Sequence, residues 1–181
     1  NEIQYKKEDF FANFPENWQD SVDIYLEKRF MGDIDHHDVK NAFGEKSNSS
    51  VYKSLIKLRS KNKLPIVIVF SHAFSDANHF DGGMIYNTYY EWLIETLKLI
   101  KLNKNCFWAL KPHPSSGLYN EGIDLYEKIL DELNLSKDVF LIKDTGNTKS
   151  ILDLASAVIT CRGTVSLEAS SLGIPCITTA R

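Results

Sequence analysis

The chain has 181 residues, 43% of them apolar and 25% charged, with a formal charge of −3. That is the make-up of one soluble globular domain with room for an appended helical piece, and it excludes a strongly basic nucleic-acid binder. No apolar run reaches the length of a membrane span, and the start, Asn1-Glu2-Ile3-Gln4, is not a signal peptide and, lacking Met, reads as a fragment.

Residues 1–60 read as a helical segment or inter-domain remnant. They carry Phe10, Phe11, Phe14, Trp18, Tyr25 and Phe30 among many charges. Clustered aromatics of this kind suit an interface or packing onto a neighbouring domain. After Pro15, the spacing of Tyr25, Leu26, Arg29 and Phe30 predicts a short amphipathic helix. Gly44 to Ser50 is polar and predicts a loop. Val51 to Arg59 predicts a second helix, with Leu55, Ile56 and Leu58 apolar.

From Leu64 the pattern changes. Pro65 to Phe70 is a continuous apolar run rich in β-branched residues, the mark of a strand covered on both faces. Tyr89 to Leu102 predicts a helix with Trp92, Leu93, Leu97 and Ile100 at helical spacing. Cys106 to Leu110 predicts a strand, Gly122 to Leu133 a helix, and Val139 to Ile142 a strand. Thr148 is the expected N-cap of a helix over Lys149 to Ala155. Ala157 to Thr160 predicts a strand, Thr164 to Leu172 a helix, and Cys176 to Thr178 a fifth strand. Gly173 and Pro175 stop that helix. Strands alternating with helices imply an α/β fold, a doubly wound parallel Rossmann-like sheet over residues 61–181. The end at Ala180-Arg181, with no closing helix, leads to the expectation of a truncated domain. Cys106, Cys161 and Cys176 fall in or beside strands without metal-type spacing, so they are expected to be buried core thiols in a reducing compartment.

Four polar clusters follow strands and would gather on one edge of the sheet, where open α/β sheets bind ligands. The first runs from Ser71 to Gly83 and is long for a connecting loop. His72, Asp76, His79 and Asp81 invite a metal reading, but loop spacing establishes no converging geometry. Hydrogen bonding to a sugar or a partner domain is the expected use. The second is Lys111-Pro112-His113-Pro114-Ser115-Ser116. Flanking prolines stiffen the backbone at His113, whose imidazole can donate to a phosphate oxygen, and Lys111 adds positive charge. A rigid turn with a solvated His explains the spacing equally well. The third, Lys143 to Thr148, is mostly explained by helix capping, although its backbone could line a base pocket. The fourth is Arg162-Gly163-Thr164-Val165-Ser166-Leu167-Glu168. Gly163 permits close backbone approach, the N–H groups of the helix start suit a phosphate, and Thr164 is an expected cap. Glu168 lies one turn on, on the face of Thr164, where a carboxylate can accept from ribose or sugar hydroxyls. An ordinary cap followed by a surface Glu is the plain alternative.

Several runs together resemble a known family. They are Phe70-Ser71-His72-Ala73-Phe74-Ser75-Asp76-Ala77, Tyr90-Glu91-Trp92-Leu93-Ile94-Glu95-Thr96, Trp108 with Lys111-Pro112-His113-Pro114, and Arg162 to Ala169 with Gly173-Ile174-Pro175. Over about residues 64–181 they look like bacterial capsule polysaccharide biosynthesis proteins. The stretch is similar to the carboxyl-terminal, donor-binding half of a GT-B glycosyltransferase. The motifs recur less fully in β-Kdo transferases, bacterial sialyltransferases and teichoic-acid polymerases.

The resemblance implies that His113 binds donor phosphate, that Thr164 and Ser166 add hydroxyls to it, and that Glu168 faces the ribose or donor sugar. Related proteins often have paired serines where this chain has Gly163-Thr164, which leaves the donor open between CMP- and UDP-linked sugars. The resemblance further implies metal-independent transfer without a cofactor. The acceptor would be a polysaccharide or glycolipid. The catalytic base would sit in an N-terminal half-domain that residues 1–60 are too short to form. The setting would be cytoplasmic or peripheral to the inner membrane, with membrane-associated capsule machinery as partner. Asp76 or His72 is the acid/base candidate on the long first loop. Two other readings are a nucleotide-sugar epimerase-like enzyme and a non-catalytic capsule assembly or export component.

Overall fold

The computed structural model describes residues 17–35, 37–43, 50–61, 63–76, 83–143 and 147–179. Expectations that fall on Phe10, Phe11, Phe14, the loop 44–49, His79, Asp81, residues 144–146 and the last two residues lie outside that set.

The β-branched run Ile66–Phe70 forms β1, and each of its five residues is buried. Such a strand needs a neighbour on each edge and a layer on each face. Strands β2 (Phe107–Lys111), β3 (Val139–Leu141), β4 (Ala157–Thr160) and β5 (Cys176–Thr178) complete the sheet. The order is β3-β2-β1-β4-β5, with every pairing parallel. This is the doubly wound, Rossmann-like arrangement. The chain winds outward from β1 through β2 to β3, then returns to the other side of β1 with β4. The switch point lies between β1 and β4.

Alternation along β1 divides the core. Val67 and Val69 face helices α4 (Tyr89–Ile100) and α5 (Ile123–Glu132), where Trp92, Leu93, Leu97, Tyr126 and Ile129 fill the layer. Ile66, Ile68 and Phe70 face α3 (Ser50–Lys61), α6 (Thr148–Leu152) and α7 (Val165–Ser171) through Leu55, Ile151, Leu152, Val165 and Ala169. Ser50, expected in the loop, is the first residue of α3. Leu55 packs against the same face as Ile66, so α3 belongs to the sheet's own core.

Among the described residues, two helices precede α3. The first, α1 (Trp18–Phe30), buries none of its residues. Leu26, Arg29 and Phe30 form a half-buried face, while Tyr25 is exposed. The expected helix therefore exists, but it has no apolar stripe driven into the core, so the amphipathic part of the expectation is corrected. The second, α2 (His37–Phe43), was not expected from the sequence, because seven residues show too little periodicity. Its Val39 and Phe43 are buried.

Two capping expectations are corrected. Asn147, not Thr148, caps α6: its side chain accepts from the Ser150 N–H at 3.1 Å and donates to the Phe43 carbonyl at 2.8 Å. Thr164 precedes α7 with helical backbone angles and makes no side-chain cap. The cysteines are free, but only Cys161 is buried; Cys106 and Cys176 are partly exposed. No helix among the described residues is long and apolar enough to cross a membrane.

The end of α7 fulfils its expectation. Gly173 has φ +72°, and the N–H of Ile174 returns to the Ala169 carbonyl at 2.9 Å. A Cβ at Gly173 would meet nothing within 4 Å, so only the left-handed backbone resists a side chain. Gly173→Ala is expected to cost about 1 kcal/mol of unfolding free energy, read from urea denaturation.

Candidate functional site

Register brings the strand ends together. Phe70 pairs with Lys111 on one side and with Thr160 on the other, so β1, β2 and β4 stop at one level. Beyond them lies a cleft enclosing about 90 Å³. It sits at the switch point. Its walls come from Ser71 and His72 after β1, Lys111 to Pro114 after β2, and Thr160, Gly163 and Thr164 after β4, with Glu168 of α7 and Arg29 of α1. The enclosed space is well below the roughly 300 Å³ of a pocket that engulfs a drug-sized ligand. It suits a compact polar group.

Five of the expected site residues, His72, Lys111, His113, Gly163 and Thr164, share this cleft with Glu168. Lys111 is 2% exposed and closes β2. The Ser115 N–H donates to His113 Nδ1 at 3.2 Å. The neutral imidazole therefore carries its proton on Nε2 and presents a donor there. The prolines on both sides fix this turn, as the sequence led one to expect.

His72 has a different part. Its ring is 8% exposed and stacks on Tyr89 with centroids 4.2 Å apart and planes 8° from parallel. Nε2 accepts the Arg162 N–H at 3.1 Å and lies 3.5 Å from Thr160 Oγ1. Burial lowers its pKa to about 4, aided by His113 and Arg162 and opposed by Asp76. A neutral His72 thus ties the end of β1 to the loop after β4. That is a holding role, made by the same Nε2 that the expected acid/base role would use. Asp76 is exposed and is not part of the cleft wall.

Gly163 is required by packing rather than by backbone angle. A Cβ there would stand 2.9 Å from Thr160 Oγ1 and 3.6 Å from His72 Nε2. The loop spends most of its own donors. Besides Arg162, the Gly163 N–H points to Thr160 Oγ1 at 3.4 Å, and the Ser166 and Leu167 N–H groups bond to Gly163 and Thr164 carbonyls. Ser166 Oγ also turns back, donating to the Gly163 carbonyl at 2.9 Å. Ser166 is absent from the cleft wall, which corrects its expected place there.

Glu168 is the largest departure. Expected to face a sugar, it is 4% exposed and paired. Arg29 donates to its Oε1 through Nε at 2.9 Å and Nη2 at 2.5 Å. Nη2 also reaches Thr164 Oγ1 at 3.3 Å. Burial raises the Glu168 pKa, while Arg29, Thr164 and Lys111 oppose that rise. The cleft therefore holds two cationic side chains, Arg29 and Lys111, against one carboxylate.

A second set of polar groups braces the loops. The buried Glu121 carboxylate accepts from the N–H groups of Phe74 and Ser75 at 2.7 and 2.8 Å. The Tyr126 hydroxyl lies 3.2 Å from Ser116 Oγ and 3.5 Å from Ser71 Oγ. These contacts fasten the loop after β1 to the segment after β2. Neither residue was expected at the site. A Glu followed by Gly at a helix start was the available signal.

Among the described residues, no group of three or more His, Cys, Asp or Glu side chains could hold a metal ion. In comparisons with known proteins, no family model matches the chain, and no curated protein matches it.

Proposed function

We propose that the cleft binds the phosphate of a nucleotide sugar, and that the chain is the donor-binding half of a GT-B-like glycosyltransferase of capsule or surface polysaccharide synthesis. One observation carries this reading. Lys111 and His113 at the end of β2 and Thr164 after β4 line a single cleft at the switch point of a doubly wound sheet. That is where such sheets bind nucleotides.

The chemistry follows from charge. Departure of a nucleotide leaving group builds negative charge on phosphate. Lys111 and the His113 Nε2–H are fixed donors at the place where that charge grows. The Thr164 hydroxyl adds a third. Nucleoside and sugar extend beyond the 90 Å³ of the cleft. There a second half-domain would hold the polysaccharide or glycolipid acceptor and supply the base. His72 and Glu121 serve by keeping the strand-end loops in place.

Calorimetric titration with CMP, UDP and CDP tests the reading. One of the three should bind. Truncation of a charge-assisted or phosphate-directed donor, as in His113→Ala or Thr164→Ala, should weaken it about tenfold to a hundredfold. Silence with all three nucleotides would sink the proposal. Equal binding by both variants would move the site elsewhere.

A further inference from the structure

We infer that Arg29, on a helix outside the sheet, belongs to the anion-binding site. The inference rests on the reading of the cleft as a phosphate site and adds a residue to it.

The argument starts from how α1 is held. The helix buries none of its residues, so core packing does not seat it. Its tertiary anchors include the Arg29 guanidinium on Glu168 and Thr164, the Phe30 ring edge-on to Phe43 at 5.6 Å, Arg29 over Phe43 at 5.8 Å and Lys149 over the Phe30 ring at 5.9 Å. Arg29 carries hydrogen bonds from this helix into the cleft wall, which suggests that the cation is used there.

Glu168 sharpens the point. A buried carboxylate in the wall of a phosphate pocket repels the ligand. Arg29 cancels that charge. Without it the cleft would hold Lys111 against Glu168 and no net positive charge. The same guanidinium lines the cleft; its Nε and Nη2 are engaged with Glu168 and Thr164 and Nη1 reaches the Tyr25 hydroxyl at 3.4 Å, which leaves the second Nη1–H for an anion. Two of its contacts converge on one oxygen, Glu168 Oε1, so Glu168 also fixes the plane of the fork. Arg29 thus neutralises the wall and contacts the anion beside Lys111, His113 and Thr164. Anion binding and α1 docking are then linked, and each strengthens the other.

Inorganic pyrophosphate is the first probe, because it carries the phosphate chemistry without base or sugar. Binding is measured by calorimetry on the full chain, with circular dichroism to show that each variant is folded. Arg29→Ala should weaken pyrophosphate about tenfold to a hundredfold. Arg29→Lys, which keeps the charge but loses the fork, should fall between. Arg29→Ala combined with Glu168→Gln removes the repelling carboxylate and should recover part of the loss, and it covers the case in which Arg29→Ala alone fails to fold. Hydrogen exchange of α1 should slow when pyrophosphate is added to the natural chain.

Unchanged or tighter binding by Arg29→Ala overturns the inference, the second outcome marking Arg29 as a plug. No pyrophosphate binding by the natural chain overturns it as well. Pyrophosphate binding that depends on Arg29, with no response to CMP, UDP or CDP, upholds Arg29 and rejects the nucleotide-sugar reading alone.

Discussion

Arg29→Ala should lower the unfolding free energy by about 3 kcal/mol, the low end for breaking a buried ion pair by removing one partner. The low end applies because the Arg29 side chain keeps 14% of its exposure while Glu168 keeps 5%. The cost comes from what is left behind. Glu168 would remain in the wall with its chief hydrogen-bond donor gone, and desolvation of an unpaired carboxylate is expensive. Glu168→Gln in the same background should recover most of the loss, since a neutral amide needs no cation.

The pH dependence of that deficit separates charge from packing. Burial already raises the Glu168 pKa above 4.5, and Arg29 is the main force holding it down. For a carboxylate whose folded pKa is raised, the folded state binds the extra proton. Its burden on stability is therefore present above the folded pKa and absent below the unfolded value. Removing Arg29 raises the folded pKa further. The gap between natural chain and variant should shrink as pH falls toward 4.5. A gap that stays constant from pH 8 to pH 4 in urea denaturation would mean that Arg29 acts through its apolar stem on Phe43 instead.

Arg29 also marks the limit of what the residue order reveals. The sheet was legible because its signals are local. Ile66–Phe70 is uniformly apolar and uniformly buried, and the helices that follow repeat every three to four residues. Level strand ends then put the polar clusters on one edge, so Lys111, His113 and Gly163 could be grouped from the chain alone. Arg29 lies 139 residues from Glu168, and no short-range pattern joins them. Composition held a faint sign. Arg stands at only four positions, 29, 59, 162 and 181, in a chain that otherwise uses Lys. A forked cation used so sparingly suits fixed pairing.

Side-chain direction was the second limit. Thr164 reaches the cleft as expected and Ser166 does not: the Ser166 hydroxyl returns to its own loop, and that of Thr164 meets Arg29 instead of capping. His72 lines the cleft, buried by a contact that the sequence did not announce. Its position on a long loop said nothing of the ring stacking that buries it. The short helix α2 failed to register because its seven residues carry only two buried apolar positions.

His72 makes the fold acid-sensitive, with a predictable window. Its pKa falls from 6.5 to about 4 because burial disfavours the imidazolium. Nε2 meanwhile accepts the Arg162 N–H, and a protonated ring would set donor against donor. The sign follows from proton counts. Between pH 6.5 and 4 the unfolded chain binds a proton on this residue and the folded chain does not, so stability is lost as pH falls through that window. A shift of this size corresponds to about 3 kcal/mol. His72→Gln isolates the effect. The Gln carbonyl can accept the same N–H and does not titrate, while loss of the ring on Tyr89 costs the same at every pH. The stability of the natural chain relative to the variant should therefore fall by about 3 kcal/mol between pH 7 and pH 4. His113 and Arg162 deepen the shift and Asp76 opposes it; these influences act through His72 and so belong to the difference between the curves, while groups that do not touch His72 cancel from it. Parallel urea midpoints from pH 7 to pH 4 would show that His72 titrates normally. The loop after β4 would then be held by Thr160 and Gly163 without it.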